Sequence, residues 1–84
     1  MEVHNRSVSL VDDHAPIVLG VKTYLEKHIP NLAVSCFTEG LMAAKQIQGQ
    51  IYDAYIIDME LQDISGMELI KKIKESNTNA KVII

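Results

Sequence analysis

Four short apolar segments, separated by stretches of helical periodicity, constrain the fold of this chain more than any other feature of its sequence. They predict strands at about 7–11, 33–37, 54–58 and 81–84, each four or five residues long and rich in β-branched or aromatic residues. The last two are nearly continuous in apolar character. That continuity is typical of strands covered on both faces, as in a parallel sheet.

The stretches between the strands predict three helices, at about 15–28, 40–48 and 66–76. In the first helix, residues expected to pack on the sheet recur at helical spacing: Ile17, Val18, Val21, Tyr24, Leu25 and His28. At the start of the third helix, Ser65 and Glu68 have the S-x-x-E spacing of a capping box. Strict alternation of strands and helices predicts an α/β fold with a parallel sheet and right-handed crossovers.

Length and composition exclude several classes of protein. At 84 residues the chain is one small domain, and a hydrophobic content of 48% is enough to build a core. The single cysteine, Cys36, rules out an internal disulfide framework and indicates a reducing cytoplasm. The net charge of −3 argues against a nucleic-acid surface, and no apolar run approaches the roughly 20 residues that span a membrane.

Three aspartates follow strands at the edge of the sheet where open parallel sheets place their chemistry. Asp12 and Asp13 come directly after the first strand, and Asp58 ends the third. If these strands are neighbours, the three carboxylates converge, repel one another and raise one another's pKa values. A divalent cation removes that conflict, and oxygen ligands of this kind suit Mg²⁺.

Other interpretations of these residues remain open at this point. An aspartate after a strand is often a turn or helix-capping residue, and Asp13 taken by itself fits that role as well as it fits a metal site. His14 is expected to face solvent or cap the helix rather than serve the site. The first turn lacks the glycines of a dinucleotide-binding loop or a P-loop, so a phosphate cradle is excluded there.

Three motifs occur in a fixed register along the chain: Val11-Asp12-Asp13-His14, Tyr52-Asp53-Ala54-Tyr55-Ile56-Ile57-Asp58, and Gly66-Met67-Glu68-Leu69-Ile70. Together they resemble the receiver domain of two-component response regulators. The Asp-Asp-His triplet followed by Ile17-Val18-Leu19-Gly20 is most similar to receivers of the NarL/LuxR type. The resemblance implies a flavodoxin-like, doubly wound sheet.

The resemblance also implies a role for each site residue. Asp58 would be the phosphoacceptor, Asp13 would bind Mg²⁺ directly, Asp12 would act largely through water, and the backbone carbonyl of Glu60 would complete the metal ligands. Met59 and Glu60 would modulate loss of the phosphoryl group. The donor would be a phosphohistidine of a sensor histidine kinase. The chain would then act as a cytoplasmic signalling domain rather than an enzyme that turns over a substrate.

Two departures from the family pattern stand out. Gln62 occupies a position where the family often has proline, which softens the loop without removing the chemistry. The family has five strand-helix units, and residues 1–84 match the fold only through the fourth strand. The switch Ser/Thr and the Lys that contacts the phosphate therefore have no counterpart in this chain, and we expect it to be part of a longer protein.

This match predicts two consequences for partners. The fourth strand, ending in Val82-Ile83-Ile84, would be an exposed edge that favours homodimers or other self-association. Contact with DNA would require a helix-turn-helix domain absent from this chain, and no membrane partner is expected. Two other functions are retained: a protein-interaction scaffold that is not phosphorylated, and a Mg²⁺-dependent phosphatase, which would need an Asp where Glu60 stands.

Overall fold

The structure, a computed structural model, describes residues 6–84. Its strands are β1 (Arg6–Val11), β2 (Leu32–Phe37), β3 (Ala54–Ile57) and β4 (Val82–Ile83), and its helices are α1 (Ala15–His28), α2 (Gly40–Ile47) and α3 (Gly66–Ser76). Strands and helices alternate throughout this range, as their apolar spacing predicts. Among these described residues, no helix is long and apolar enough to cross a membrane.

The four strands form one parallel sheet in the order β2-β1-β3-β4. Val11 lies opposite both Phe37 on β2 and Ile57 on β3, so these three strands end at the same level of the sheet. The predicted α/β class with a parallel sheet is therefore confirmed. Adjacent β1 and β3 bring the residues that follow them to one place.

Each face of the sheet has its own hydrophobic core, because successive side chains of a strand point to opposite faces. On one face, α1 covers Val8, Leu10 and Val34. On the other face, α2 and α3 pack over Val11, Tyr55, Ile57 and neighbouring side chains. The sheet is thus buried on both sides near the middle of β1 and β3.

The packing face of α1 is narrower than its sequence pattern predicts. Val18 is buried and Val21 and Leu25 pack against the sheet core, but Ile17 is 52% exposed and Tyr24 63% exposed. His28 is also exposed and stacks on Tyr24 with ring centroids 4.3 Å apart. The prediction that Ile17, Tyr24 and His28 pack on the sheet is wrong. Only one side of α1 meets the sheet, and residues at i, i+3 and i+7 fill that contact.

Two strand ends differ from the sequence prediction. β3 ends at Ile57, so Asp58 lies in the loop, although its N–H still donates to the Val11 carbonyl oxygen at 2.9 Å. β4 contains two residues rather than the predicted four. Ile84 lies outside the paired residues of β4 and is 74% exposed.

Candidate functional site

The carboxylates predicted to converge lie together beyond the ends of β1 and β3. Hydrogen bonds of the sheet continue one residue past each strand, since Asp12 N–H donates to the Phe37 carbonyl oxygen at 3.1 Å. In the same way, the N–H of Asp58 donates to the Val11 carbonyl oxygen and fixes the backbone directly after β3. The sheet register therefore positions Asp12, Asp13 and Asp58 at one site.

One ligand atom from each of Asp12, Asp13, His14 and Asp58 can be chosen so that all four atoms lie within 4.8 Å of one another. The aspartate side chains are mostly shielded, being 17–23% exposed. Water therefore screens their mutual repulsion only in part. The site has the density of negative charge that a hard cation neutralises.

His14 approaches this cluster, which the sequence did not predict. Its Nδ1 atom lies 2.7 Å from Asp12 Oδ1, 3.2 Å from Asp13 Oδ1 and 3.8 Å from Asp58 Oδ2. The ring remains 61% exposed, as a solvent-facing residue should be. His14 occupies the N-cap position of α1 but its side chain makes no capping hydrogen bond, so of the two predicted alternatives the solvent-facing one describes its side chain. The only sequence signal was its position next to two aspartates.

His14 also changes the electrostatics of the site. Partial burial works to raise the pKa of Asp12, but hydrogen bonds from the His14 N–H and ring, together with the ring's charge, lower that pKa overall. The hydrogen bond to Asp12 and the negative charges of Asp13 and Asp12 raise the pKa of His14. The expectation that crowding raises the carboxylate pKa is therefore wrong for Asp12, because a basic ring faces it.

Asp12, rather than Asp13, has the turn role considered for the aspartate pair. Asp12 Oδ1 accepts the backbone N–H of His14 at 2.9 Å, which closes an Asx-turn before α1. Asp13 Oδ1 is buried without a hydrogen-bond partner, and its contact with the His14 ring is not aligned as a hydrogen bond. A buried carboxylate oxygen without a partner is costly, and a cation at this point would remove the cost. These residues fit Mg²⁺.

The loop after β3 holds the Asp58 carboxylate in place. Glu60 N–H donates to Asp58 Oδ1 at 3.0 Å. A Cβ atom added to Gly66 would lie 2.7 Å from Met59 Cα and 3.1 Å from the Asp58 carbonyl oxygen. The start of α3 therefore approaches the loop so closely that only glycine fits. Glu60 lies at the site, and its predicted carbonyl ligation stays a prediction.

Asp63, in the same loop, has a role that sequence reasoning missed. Its Oδ1 accepts the N–H of Gly40 at 3.1 Å, and its Oδ2 accepts that of Leu41 at 2.9 Å. The N-cap residue of α2, Glu39, makes no side-chain capping bond. Asp63 supplies that function from a distant part of the sequence, and these hydrogen bonds lower its pKa. No local sequence pattern marks such a long-range cap.

Comparison with known proteins agrees with this geometry. The family model described as the response regulator receiver domain matches residues 8–84. The transcriptional regulatory protein ComA of Bacillus subtilis is 33% identical over 82 residues, which are 94% of this chain and 38% of ComA. The response regulator UvrY of Escherichia coli O6:H1 is 31% identical over 78 residues, or 93% of this chain and 36% of UvrY. The chain spans little more than a third of these relatives.

Solved structures show the same fold. The response regulator TrrA of Thermotoga maritima, in complex with Mg²⁺-BeF, superposes with a TM-score of 0.85 and 28% identity, over 94% of this chain and 67% of that one. The Francisella response regulator 1452 receiver domain superposes with a TM-score of 0.81 and 27% identity, over 93% and 63% of the two chains. The fold of this chain is thus a known architecture.

Proposed function

The chain belongs to the response regulator receiver domain family of two-component signalling, and from that membership we propose that it accepts a phosphoryl group on the Asp58 carboxylate in the presence of Mg²⁺. The observation that carries this proposal is the convergence of Asp12, Asp13 and Asp58, with a buried oxygen of Asp13 that accepts no hydrogen bond. The Mg²⁺-BeF complex of TrrA supports it, since that relative is solved with a metal and a phosphoryl analogue.

The proposed reaction is a simple exchange of bonds. The N–P bond of a phosphohistidine breaks, an O–P bond forms to a carboxylate oxygen of Asp58, and the imidazole leaves and takes up a proton. Catalysis of phosphoryl transfer is largely positioning and charge neutralisation. The Glu60 N–H on Asp58 Oδ1 fixes the orientation of the accepting carboxylate.

The residues proposed to hold Mg²⁺ are the three aspartates of the cluster and one backbone carbonyl next to them. Asp13 and Asp58 would bind directly, Asp12 largely through water, and the Glu60 carbonyl would complete the set. The ion, when bound, neutralises charge on the phosphoryl oxygens and the carboxylates. Met59 and Glu60, next to Asp58, are proposed to tune how fast water removes the phosphoryl group.

Mass spectrometry after incubation with acetyl phosphate and Mg²⁺ tests the proposal. We expect phosphoryl label on the chain that is lost in Asp58→Asn and retained in the matched control Asp53→Asn, at the opposite end of β3. Label on the Asp58→Asn chain would contradict the assignment. Turnover of phosphomonoesters would indicate a phosphatase, and neither label nor turnover would indicate an interaction scaffold.

The partners of the whole protein are proposed from its relatives. We propose a sensor histidine kinase as the cytoplasmic donor, because two-component receivers take their phosphoryl groups from such kinases. The name of ComA, a transcriptional regulatory protein, supports a role in regulating transcription, which would act through a DNA-binding domain outside this chain. Phosphorylation would shift the domain between conformations that already exist.

A further inference from the structure

The outer edge of β2 has the sequence of a strand that pairs readily with other chains. β2 is one end of the sheet order, and its six residues, Leu-Ala-Val-Ser-Cys-Phe, include no charged residue, proline or glycine. Segments of this length and character pair readily when their edge is open. Natural proteins usually protect such edges with charged side chains or by covering them.

Backbone groups of alternate β2 residues face this outer edge. Asn31 and Phe37 accept hydrogen bonds from β1 and from the residue after it, so the odd-numbered residues direct their backbone groups towards β1. Groups on the intervening residues point the other way, because sides alternate along a strand. Val34 is the central one of the three outward-facing residues in β2.

Two side chains of α1 bind the backbone of Val34 on this edge. Val34 N–H donates to Glu26 Oε2 at 2.8 Å, and Lys22 Nζ donates to the Val34 carbonyl oxygen at 2.9 Å. Lys22 Nζ also donates to Glu26 Oε2 at 2.8 Å, so the two side chains hold each other in place. Both backbone groups of Val34 are therefore occupied by charged partners, which form stronger hydrogen bonds than neutral ones.

We propose that the outer edge of β2 is a latent docking surface for a second copy of this chain, held closed by Lys22 and Glu26. The side chains occupy the two groups that a pairing strand would need at the centre of the edge. With them removed, β2 of one chain pairs antiparallel with β2 of another. The proposal does not depend on phosphorylation of Asp58.

A second copy is the partner that this edge fits best. Two identical strands paired about a two-fold axis at Val34 place Cys36 opposite Leu32 of the other chain, and no like charges meet. Such a self-complementary contact closes into a dimer rather than a filament. The flat, uncharged strand offers nothing that would select a charged peptide instead.

Alanine variants of α1 test the lock in the intact chain. Lys22→Ala and Lys27→Ala have the same composition and net charge, and only the first removes a contact with β2. Glu26→Ala removes the acceptor of the Val34 N–H, whereas Glu26→Gln keeps an acceptor there. Sedimentation velocity over a range of concentrations measures the affinity of self-association. Amide hydrogen exchange shows which strand is protected when two chains associate.

We expect Glu26→Ala and Lys22→Ala to dimerise on the order of tenfold more tightly than Lys27→Ala, with Glu26→Gln in between. In dilute Glu26→Ala, the Val34 amide should exchange about tenfold faster than in the parent chain, and this exchange should slow as the concentration rises. Equal association of all variants would overturn the proposal. The proposal would also be overturned if association slowed amide exchange at Val82 and Ile83 of β4, the other edge strand, and left exchange at Val34 unchanged.

Discussion

A single carboxylate, that of Asp63, joins parts of the chain that lie 22 and 23 residues apart in sequence. It binds two N–H groups at the start of α2, which have no partner within the helix. Because these bonds need the ionised carboxylate, they lower its pKa. Its contribution to stability is therefore complete above the unfolded-state pKa, near 3.8, and is lost as the pH falls through the lower folded-state pKa.

We accordingly expect Asp63→Asn to destabilise the chain at pH 7, and the difference from the parent to shrink as the pH drops below about 4 and to vanish below the folded-state pKa of Asp63. Urea denaturation at a series of pH values measures it. The matched control is Glu75→Gln, an exposed carboxylate of α3 with no helix cap to lose. A loss in Asp63→Asn that stays constant down to the acid range would contradict the hydrogen-bonded role of the charge.

Gly66 gives a second prediction at the residue scale. A methyl group there would press on the backbone of Met59 and on the Asp58 carbonyl, neither of which can move freely. We expect Gly66→Ala to destabilise the chain by about 1–3 kcal/mol and to weaken Mg²⁺ binding, because the loop that carries Asp58 must shift. Urea denaturation and Mg²⁺ titration measure the two effects.

Gly20→Ala is the control, because nothing lies within 4 Å of its added methyl group in α1. Alanine is the better helix former, so this variant should gain about 0.5–1 kcal/mol. A similar loss in both variants would show that the effect of Gly66→Ala does not come from the close approach of α3 to the loop.

The aspartates of the site could be predicted from sequence because their place depends on the sheet alone. A residue that directly follows a strand lies at the sheet edge whatever its side chain does. The contacts of His14 depend on a side-chain conformation, and those of Asp63 depend on where a loop of eight residues between β3 and α3 folds back. Neither leaves a periodic or spaced pattern in the sequence.

At the scale of the element, the prediction concerns the hydrogen bond that caps the N-terminus of α3. Ser65 Oγ accepts the N–H of Glu68 at 3.0 Å, as the predicted capping box requires. Ser65→Ala should cost about 1 kcal/mol, and a melting temperature about 4–8 °C lower would report it in a domain of this size. Ser76→Ala, at the exposed far end of the helix, should change it little. An equal fall in the melting temperature of both variants would refute the capping role of Ser65.

The limits of prediction at this scale are clearest in α1. Hydrophobic periodicity predicts a helix over about 15–28 and the structure has one at Ala15–His28, but the pattern does not say which apolar residues touch the sheet. Val18 is buried while Ile17 is not, because only one side of α1 faces the sheet. The pattern also does not show that the charged side chains of Lys22 and Glu26 bind the edge of β2.

At the scale of the whole molecule, the carboxylate cluster couples metal binding to folding. Mg²⁺ held at the proposed site would bind the folded chain and not the unfolded chain, so it should raise the free energy of unfolding by about 2.7 kcal/mol at 100 times its dissociation constant. Asp58→Asn should abolish most of this gain. In the absence of metal it should stabilise the chain, because one of three crowded charges is gone.

Thermal unfolding with and without MgCl₂ measures both effects, with NaCl at equal ionic strength as the control for screening. An equal rise with either salt would mean that general screening, rather than binding, stabilises the chain. If Asp58→Asn responds to Mg²⁺ as the parent does, the ion is held elsewhere.

The overall architecture followed from the sequence because alternation of strands and helices permits few topologies. The length of β4 did not follow, since its apolar run continues beyond the two residues that find partners on β3. An apolar run shows which residues can pair, and only the neighbouring strand determines how many do.

The loop after β3 is held at three points. Asp58 lies at its start, Gly66 lies against the backbone of Met59 at its end, and Asp63 binds the first turn of α2 from its middle. We therefore expect a displacement of Asp58 to move the first turn of α2 as well, although that helix contributes no residue to the carboxylate cluster.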